Sequence, residues 1–221
     1  MEFPCHFDLK SFRKVLLAWW SENQRDYPWR RTRDPYAIAV AEVLLHRTRA
    51  DQVVPTYREF LKKYPSVSQL AKASIKELRT LIYPLGLHWR VDLLYDMAQE
   101  LHLKFRDLIP TRREDLESLP GVSHYIATAI RCFAFGYPDA LLDTNTVRIC
   151  GRLLGISVTD GSRRSEKFRK LLEALVDTKN PREFNYALLD HGALICRSRN
   201  PLCNECSVKQ HCCYGRRKLR R

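Results

Sequence analysis

Four cysteines near the end of the chain, Cys196, Cys203, Cys206 and Cys212, follow the spacing C-x6-C-x2-C-x5-C. Four thiolates this close can wrap one compact centre, and a loop without an apolar core gains its order from such ligation. Zinc also accepts four cysteines in a closed tetrahedral site, but zinc ribbons bring two C-x2-C knuckles. The segment "CRSRNPLCNECSVKQHCC" has only one, so its spacing favours iron–sulfur over zinc while leaving both open. Cys132 and Cys150 sit in apolar helical stretches and read as small core hydrophobes, whereas Cys5 and Cys213 fall outside the spacing.

Two carboxylates and a turn carry the remaining chemistry. "LESLPGVSHYIATAI" (116–130) reads as helix, tight turn, helix. Gly121 supplies a backbone conformation closed to other residues, and Ser123 is a good N-cap for a helix starting at His124. Backbone N–H groups at such a helix start can face a phosphate. Asp143, in "LLDTNTVRIC", is equally suited to catalysis and to capping a helix from about residue 144. Glu42 is the only charge in "YAIAVAEVLL" (36–45), so it must face a cleft or a polar partner.

The elements that position these residues are helical. Phe12, Val15, Leu16, Trp19 and Trp20 fall on one stripe, and similar periodicity covers about 36–48, 51–63, 88–103, 124–136, 145–155, 164–178 and 183–195. Punctuation lies at 31–35, 64–68, 109–114, 136–140 and 159–163. No alternating strand series occurs, so the expected class is all-α. Lys and Arg total 38 against 25 Asp and Glu, a net charge of +13 that favours a polyanionic partner. The terminal "GRRKLRR" (215–221) reads as a disordered basic tail. No apolar run approaches the roughly 18 residues of a membrane span, and "MEFPCHFDLKSFRK" lacks a signal-peptide core. An intracellular setting follows, where the eight cysteines stay reduced.

The chain resembles the helix-hairpin-helix DNA glycosylase superfamily typified by endonuclease III and the adenine glycosylases. The resemblance runs from "YPWRRTRDPYAIAVAEVLLHRT" through "LPGVSHYIATAI", "LLDTNTVRICGRLLG" and "FNYALLDHGALIC" to the cysteine loop. It implies a six-helix barrel domain over 27–137, with the hairpin at about 112–130. It also implies a [4Fe–4S] cluster domain from 1–26 and 138–214, with DNA in the cleft between the two and a basic tail at 215–221. The four cysteines become ligands of a [4Fe–4S] cluster, and Asp143 takes the position of the family's catalytic aspartate.

Tyr125 stands where strand-cutting members carry a lysine whose amine forms a Schiff base, chemistry closed to a phenol. Tyrosine there is similar to the archaeal-type thymine/uracil mismatch glycosylases. "AEVLLHRT" matches a motif whose glutamate, here Glu42, lines the base pocket. Arg47 falls where relatives place a gap-filling glutamine and Leu87 where they place a wedge, while Gly121, Ser123 and His124 face the DNA backbone. Tyr186 and Asp190 read as structural.

The resemblance therefore implies a monomeric, monofunctional DNA glycosylase of base excision repair. It would act on double-stranded DNA, associated with the nucleoid of an archaeon or bacterium and with no membrane. Its substrate would be thymine or uracil in G·T and G·U mismatches, excised to leave an abasic site with little or no lyase activity. The alternatives are an adenine glycosylase acting on A·G or A·8-oxoguanine, and a non-catalytic iron–sulfur DNA-binding protein. Two departures bear on this reading. Ser123 replaces the hairpin's second glycine, and the chain stops soon after the cysteines, without the extra domain with which adenine glycosylases recognise 8-oxoguanine.

Overall fold

A computed structural model describes residues 7–86 and 88–218 of the chain. Among the described residues the regular structure is entirely helical, as expected, and it divides into two compact units. One is residues 26–135, continuous in sequence; the other joins residues 1–25 to residues 136–221.

The continuous unit is built around α2 (Pro35–Leu45). Asp34 caps this helix by accepting the Tyr36 amide at 2.9 Å, and Pro35 at its first position starts the turn. Every residue from Tyr36 to Leu44 is buried, Glu42 included, so the helix is enclosed on all sides and lies at the centre of its unit. Around it pack α3 (Ala50–Lys63), α6 (Trp89–Phe105) and α8 (His124–Phe133). Beyond these, α4 (Val67–Ala71) and α5 (Ile75–Ile82) rest on α6, and α7 (Arg113–Glu117) rests on α8.

The second unit pairs α1 (Leu9–Asn23) with α11 (Pro181–Leu194) and packs α9 (Thr144–Leu154) on α10 (Glu166–Leu175), α11 and α12 (Cys213–Lys218). From the stripe on α1, Phe12 and Leu16 are fully buried; Val15, Trp19 and Trp20 pack against the same core from its edge. Phe12 meets Phe184 of α11 edge-on. Asp190 is fully buried and accepts from Trp20 Nε1 at 2.9 Å and from Arg25 Nε at 2.6 Å, while Tyr186 stacks on Trp20. Both residues tie α11 to the end of α1.

The sequence reading missed several short elements. Segments read as punctuation contain the starts of α4 and α7 and a 3-10 turn at Asp160–Arg164. The expected disordered tail is corrected too: residues 213–218 form α12 on α9, and residues 219–221 lie outside the described residues. Two contacts explain this order. Arg152 places its guanidinium over the Tyr214 ring at 5.0 Å, and Gly155, in the left-handed region at φ +72°, lets Cys213 and Arg217 approach closely.

Candidate functional site

Asp143 and the four cysteines belong to the discontinuous unit; Glu42, Arg47, Gly121, Ser123, His124 and Tyr125 belong to the continuous one. Leu87 lies outside the described residues.

Asp143 is half-buried and caps α9. One carboxylate oxygen accepts the Thr146 amide at 2.7 Å, and the Asp143 amide donates to Thr146 Oγ1 at 2.9 Å, completing a reciprocal capping box. The other oxygen accepts from Asn145 Nδ2 at 2.9 Å. Asn145 Oδ1 in turn accepts from Arg148 Nη2 at 2.8 Å, and Arg148 also donates to the Gly192 and Cys196 carbonyls. Capping thus fixes the carboxylate on both oxygens rather than competing with a chemical role. Held this way at a helix N-terminus, it can stabilise positive charge or accept a proton without having to reorient.

Gly192 of α11 leaves the space Asn145 needs: a Cβ there would fall 2.7 Å from the Asn145 Cβ. Gly192→Ala should cost about 1–3 kcal/mol of stability through this overlap, measured by denaturant unfolding. An unchanged midpoint would mean that Asn145 steps aside freely.

In the continuous unit, Glu42 is buried on α2 with 8 % of its surface exposed, and Tyr125 is half-buried at the start of α8, the helix against which α2 packs. The hairpin leading to Tyr125 is built as its sequence implies. Gly121 sits at φ +78°, where a Cβ would also lie 2.9 Å from Leu93 Cβ, so both conformation and space demand glycine. Ser123 caps α8 by accepting the Ile126 amide at 3.3 Å, and His124 Nδ1 lies 2.7 Å from Glu117 Oε1 of α7. Arg47 is exposed just beyond the end of α2, in the left-handed region at φ +59°. That conformation costs a side-chain-bearing residue about 1–2 kcal/mol.

Cys196, Cys203, Cys206 and Cys212 line a single cavity whose walls include Ile149, Leu153, Leu202 and Val208. Among the described residues no group of three or more His, Cys, Asp or Glu converges tightly enough to hold one metal ion. Donors already face the sulfurs: Arg152 Nη1 lies 3.3 Å from Cys196 Sγ and the Gly215 amide 3.3 Å from Cys212 Sγ. Burial pushes the Cys206 thiol up to about 12 and Cys212 to about 11. Cys213 does not line the cavity; its sulfur faces Gly155.

Asn145, Arg148 and Arg90 were not singled out from the sequence. The "DTNTVR" run holds the first two at the start of a helix, where a polar network is legible in hindsight; Arg90 gives no such signal.

Residues 40–175 match the family described as HhH-GPD superfamily base excision DNA repair protein. The chain is 38 % identical over 225 residues to the thymine/uracil-DNA glycosylase of Pyrobaculum aerophilum, covering 99 % of this chain and 97 % of that one. It is 39 % identical over 211 residues to the thymine-DNA glycosylase of Aeropyrum pernix, covering 93 % and 95 %. The solved structure of a thermostable thymine-DNA glycosylase superposes with a TM-score of 0.89 at 34 % identity, over 95 % of this chain and 97 % of that one. A capped carboxylate, a glycine-dependent hairpin and an all-helical frame agree with these matches: the chain belongs to the HhH-GPD superfamily of base excision DNA repair proteins.

Proposed function

We propose that this protein is a monofunctional DNA glycosylase that flips thymine or uracil out of G·T and G·U mismatches and hydrolyses its bond to the sugar. The observation that carries the reading is a fixed carboxylate at Asp143 combined with a phenol, rather than an amine, at Tyr125. That combination occurs in a chain related end to end to a thymine/uracil-DNA glycosylase.

Breaking the bond between sugar C1′ and the pyrimidine nitrogen leaves the electron pair on the base and positive charge on the sugar. Asp143 stabilises that charge and takes the proton of the water that adds to C1′. Glu42 hydrogen-bonds the flipped base or supplies the proton it needs on leaving. Tyr125 offers no nucleophilic amine, so no imine forms and the strand stays intact. Flipping costs a few kcal/mol, least at a mismatch, which favours such sites. Leu87 wedges the gap, Arg47 fills it and can hydrogen-bond the orphaned guanine, and Gly121, Ser123 and His124 hold the backbone phosphate.

Cys196, Cys203, Cys206 and Cys212 would hold a [4Fe–4S] cluster. Its contribution is to order the loop from 196 to 212 and to present that loop's basic residues to DNA, with no part in hydrolysis. Support comes from the shared cavity and the N–H groups facing its sulfurs.

The test uses labelled duplexes carrying G·T, G·U, A·G and A·8-oxoguanine, with and without alkali. Breakage of the thymine or uracil strand only after alkali is the expected result. Adenine-strand breakage would replace the substrate with adenine, and tight binding without any breakage would leave a non-catalytic protein. Extensive breakage without alkali would overturn the role given to Tyr125.

A further inference from the structure

Arg90, the second residue of α6, is fully buried, yet its guanidinium has no acidic partner among the described residues. Nη1 donates to the Leu44 carbonyl at 2.6 Å and Nη2 to the His46 carbonyl at 2.6 Å; Nη2 also donates to Thr48 Oγ1. The acceptors are thus the open carbonyl end of α2 and the turn that follows it, where the helix macrodipole is negative. One residue earlier, the Trp89 ring meets the His46 ring edge-on at 5.3 Å. Consecutive side chains at the start of α6 therefore clasp residues 44–48 from two sides.

Arg47 sits in the middle of the clasped turn. Its backbone is in the left-handed region, and its exposed guanidinium makes no hydrogen bond or ion pair among the described residues. The turn is closed by its own backbone, the Thr48 amide donating to the Leu45 carbonyl at 3.1 Å. That single bond leaves the non-glycine residue at its left-handed position, and Arg90 adds a second fastening, to His46 and Thr48 on either side of Arg47. A buried cation is costly, and an apolar residue would fill the same space at less expense, so specificity of the turn is what the guanidinium adds.

We propose that Arg90 is a positioning residue that locks the 45–48 turn and so pre-orders Arg47 for the estranged guanine of a mismatch. The proposal rests on the DNA-contacting role given to Arg47 above. A turn already in its bound shape spares the ordering cost on binding, so loosening it weakens affinity without touching the chemical step. Lysine at position 90 keeps the charge but cannot reach three acceptors from one nitrogen.

The experiment compares Arg90→Lys, Arg47→Ala and the double variant. Each is measured for Kd on a duplex with G opposite an uncleavable 2′-fluoro-thymidine, for single-turnover rate at saturating protein, and for amide exchange at residues 45–48. Arg90→Lys should weaken binding about tenfold, change the saturated rate less than about twofold and speed exchange at the turn. In the Arg47→Ala background it should add almost nothing to Kd. Full additivity in the double variant, or wild-type Kd for Arg90→Lys beside weakened Arg47→Ala, overturns the positioning role. Wild-type Kd for Arg47→Ala overturns the role of Arg47 itself, and with it the proposal; faster exchange in Arg90→Lys would then identify the clasp as purely structural.

Discussion

Asp143→Asn is expected to slow single-turnover excision of thymine opposite guanine by on the order of 10²–10³-fold while leaving the fold and DNA affinity in place. Asparagine is as good an N-cap as aspartate, so its carbonyl oxygen can still accept the Thr146 amide. The second oxygen becomes an NH2 group facing Asn145 Nδ2, which now donates to that position. Two donors cannot share this contact, so Asn145 must flip, and flipping turns its own NH2 toward Arg148. The local cost is about 1 kcal/mol, small beside the lost stabilisation of charge on the sugar. Removing a negative charge next to a polyanion also leaves binding equal or slightly tighter. Rapid-quench kinetics and a parallel Kd titration separate the two effects. A rate within tenfold of wild type would remove Asp143 from the chemistry and leave it a cap alone.

Cys206→Ala is expected to abolish iron binding and to destabilise the discontinuous unit. The loop from 196 to 212 buries few apolar side chains apart from Val208, so beyond a few weak contacts to its sulfurs a bound centre would supply most of its order. A loss of about 3 kcal/mol would lower the melting temperature by roughly 10 °C in a chain of this size. Iron and sulfide content and the visible absorbance of the purified protein report the first effect, and calorimetry reports the second. Cys213→Ser is the control: its sulfur faces Gly155 rather than the cavity, so iron content should stay at the wild-type level. Iron loss in Cys213→Ser with retention in Cys206→Ala would reassign the ligand. Stoichiometric zinc in the wild-type protein would replace the cluster with a single ion.

Long helices were legible in the sequence because their apolar stripes repeat over several turns. The stripe at Phe12 and Leu16 and the apolar run of α2 both lie where periodicity puts them. Five-residue helices such as α4 and α7 are too short for a 3.6-residue period to register, and packing on α6 and α8 stabilises them instead. The terminal residues looked like a charged tail because a single cation–π contact and the close approach at Gly155 leave no periodic trace. At the candidate site, Ser123 and Asp143 were readable as caps from residue type and position alone. Arg90 was not, since its partners are carbonyls more than forty positions away and a charge inside "LHWRVDLL" looks like an ordinary exposed one.

That one unit is assembled from two separate stretches of chain has a consequence for synthesis. Residues 26–135 leave the ribosome as an unbroken stretch that forms one compact unit, so that unit can complete itself early. Helix α1 emerges before that unit but finds its mate, α11, only after the whole of it has been made. Through that interval Phe12 and Leu16 stay uncovered, a sticky surface in need of shielding. The α1 segment is therefore made early and settles late, and slowing elongation between α1 and α11 prolongs the window in which nascent chains can aggregate.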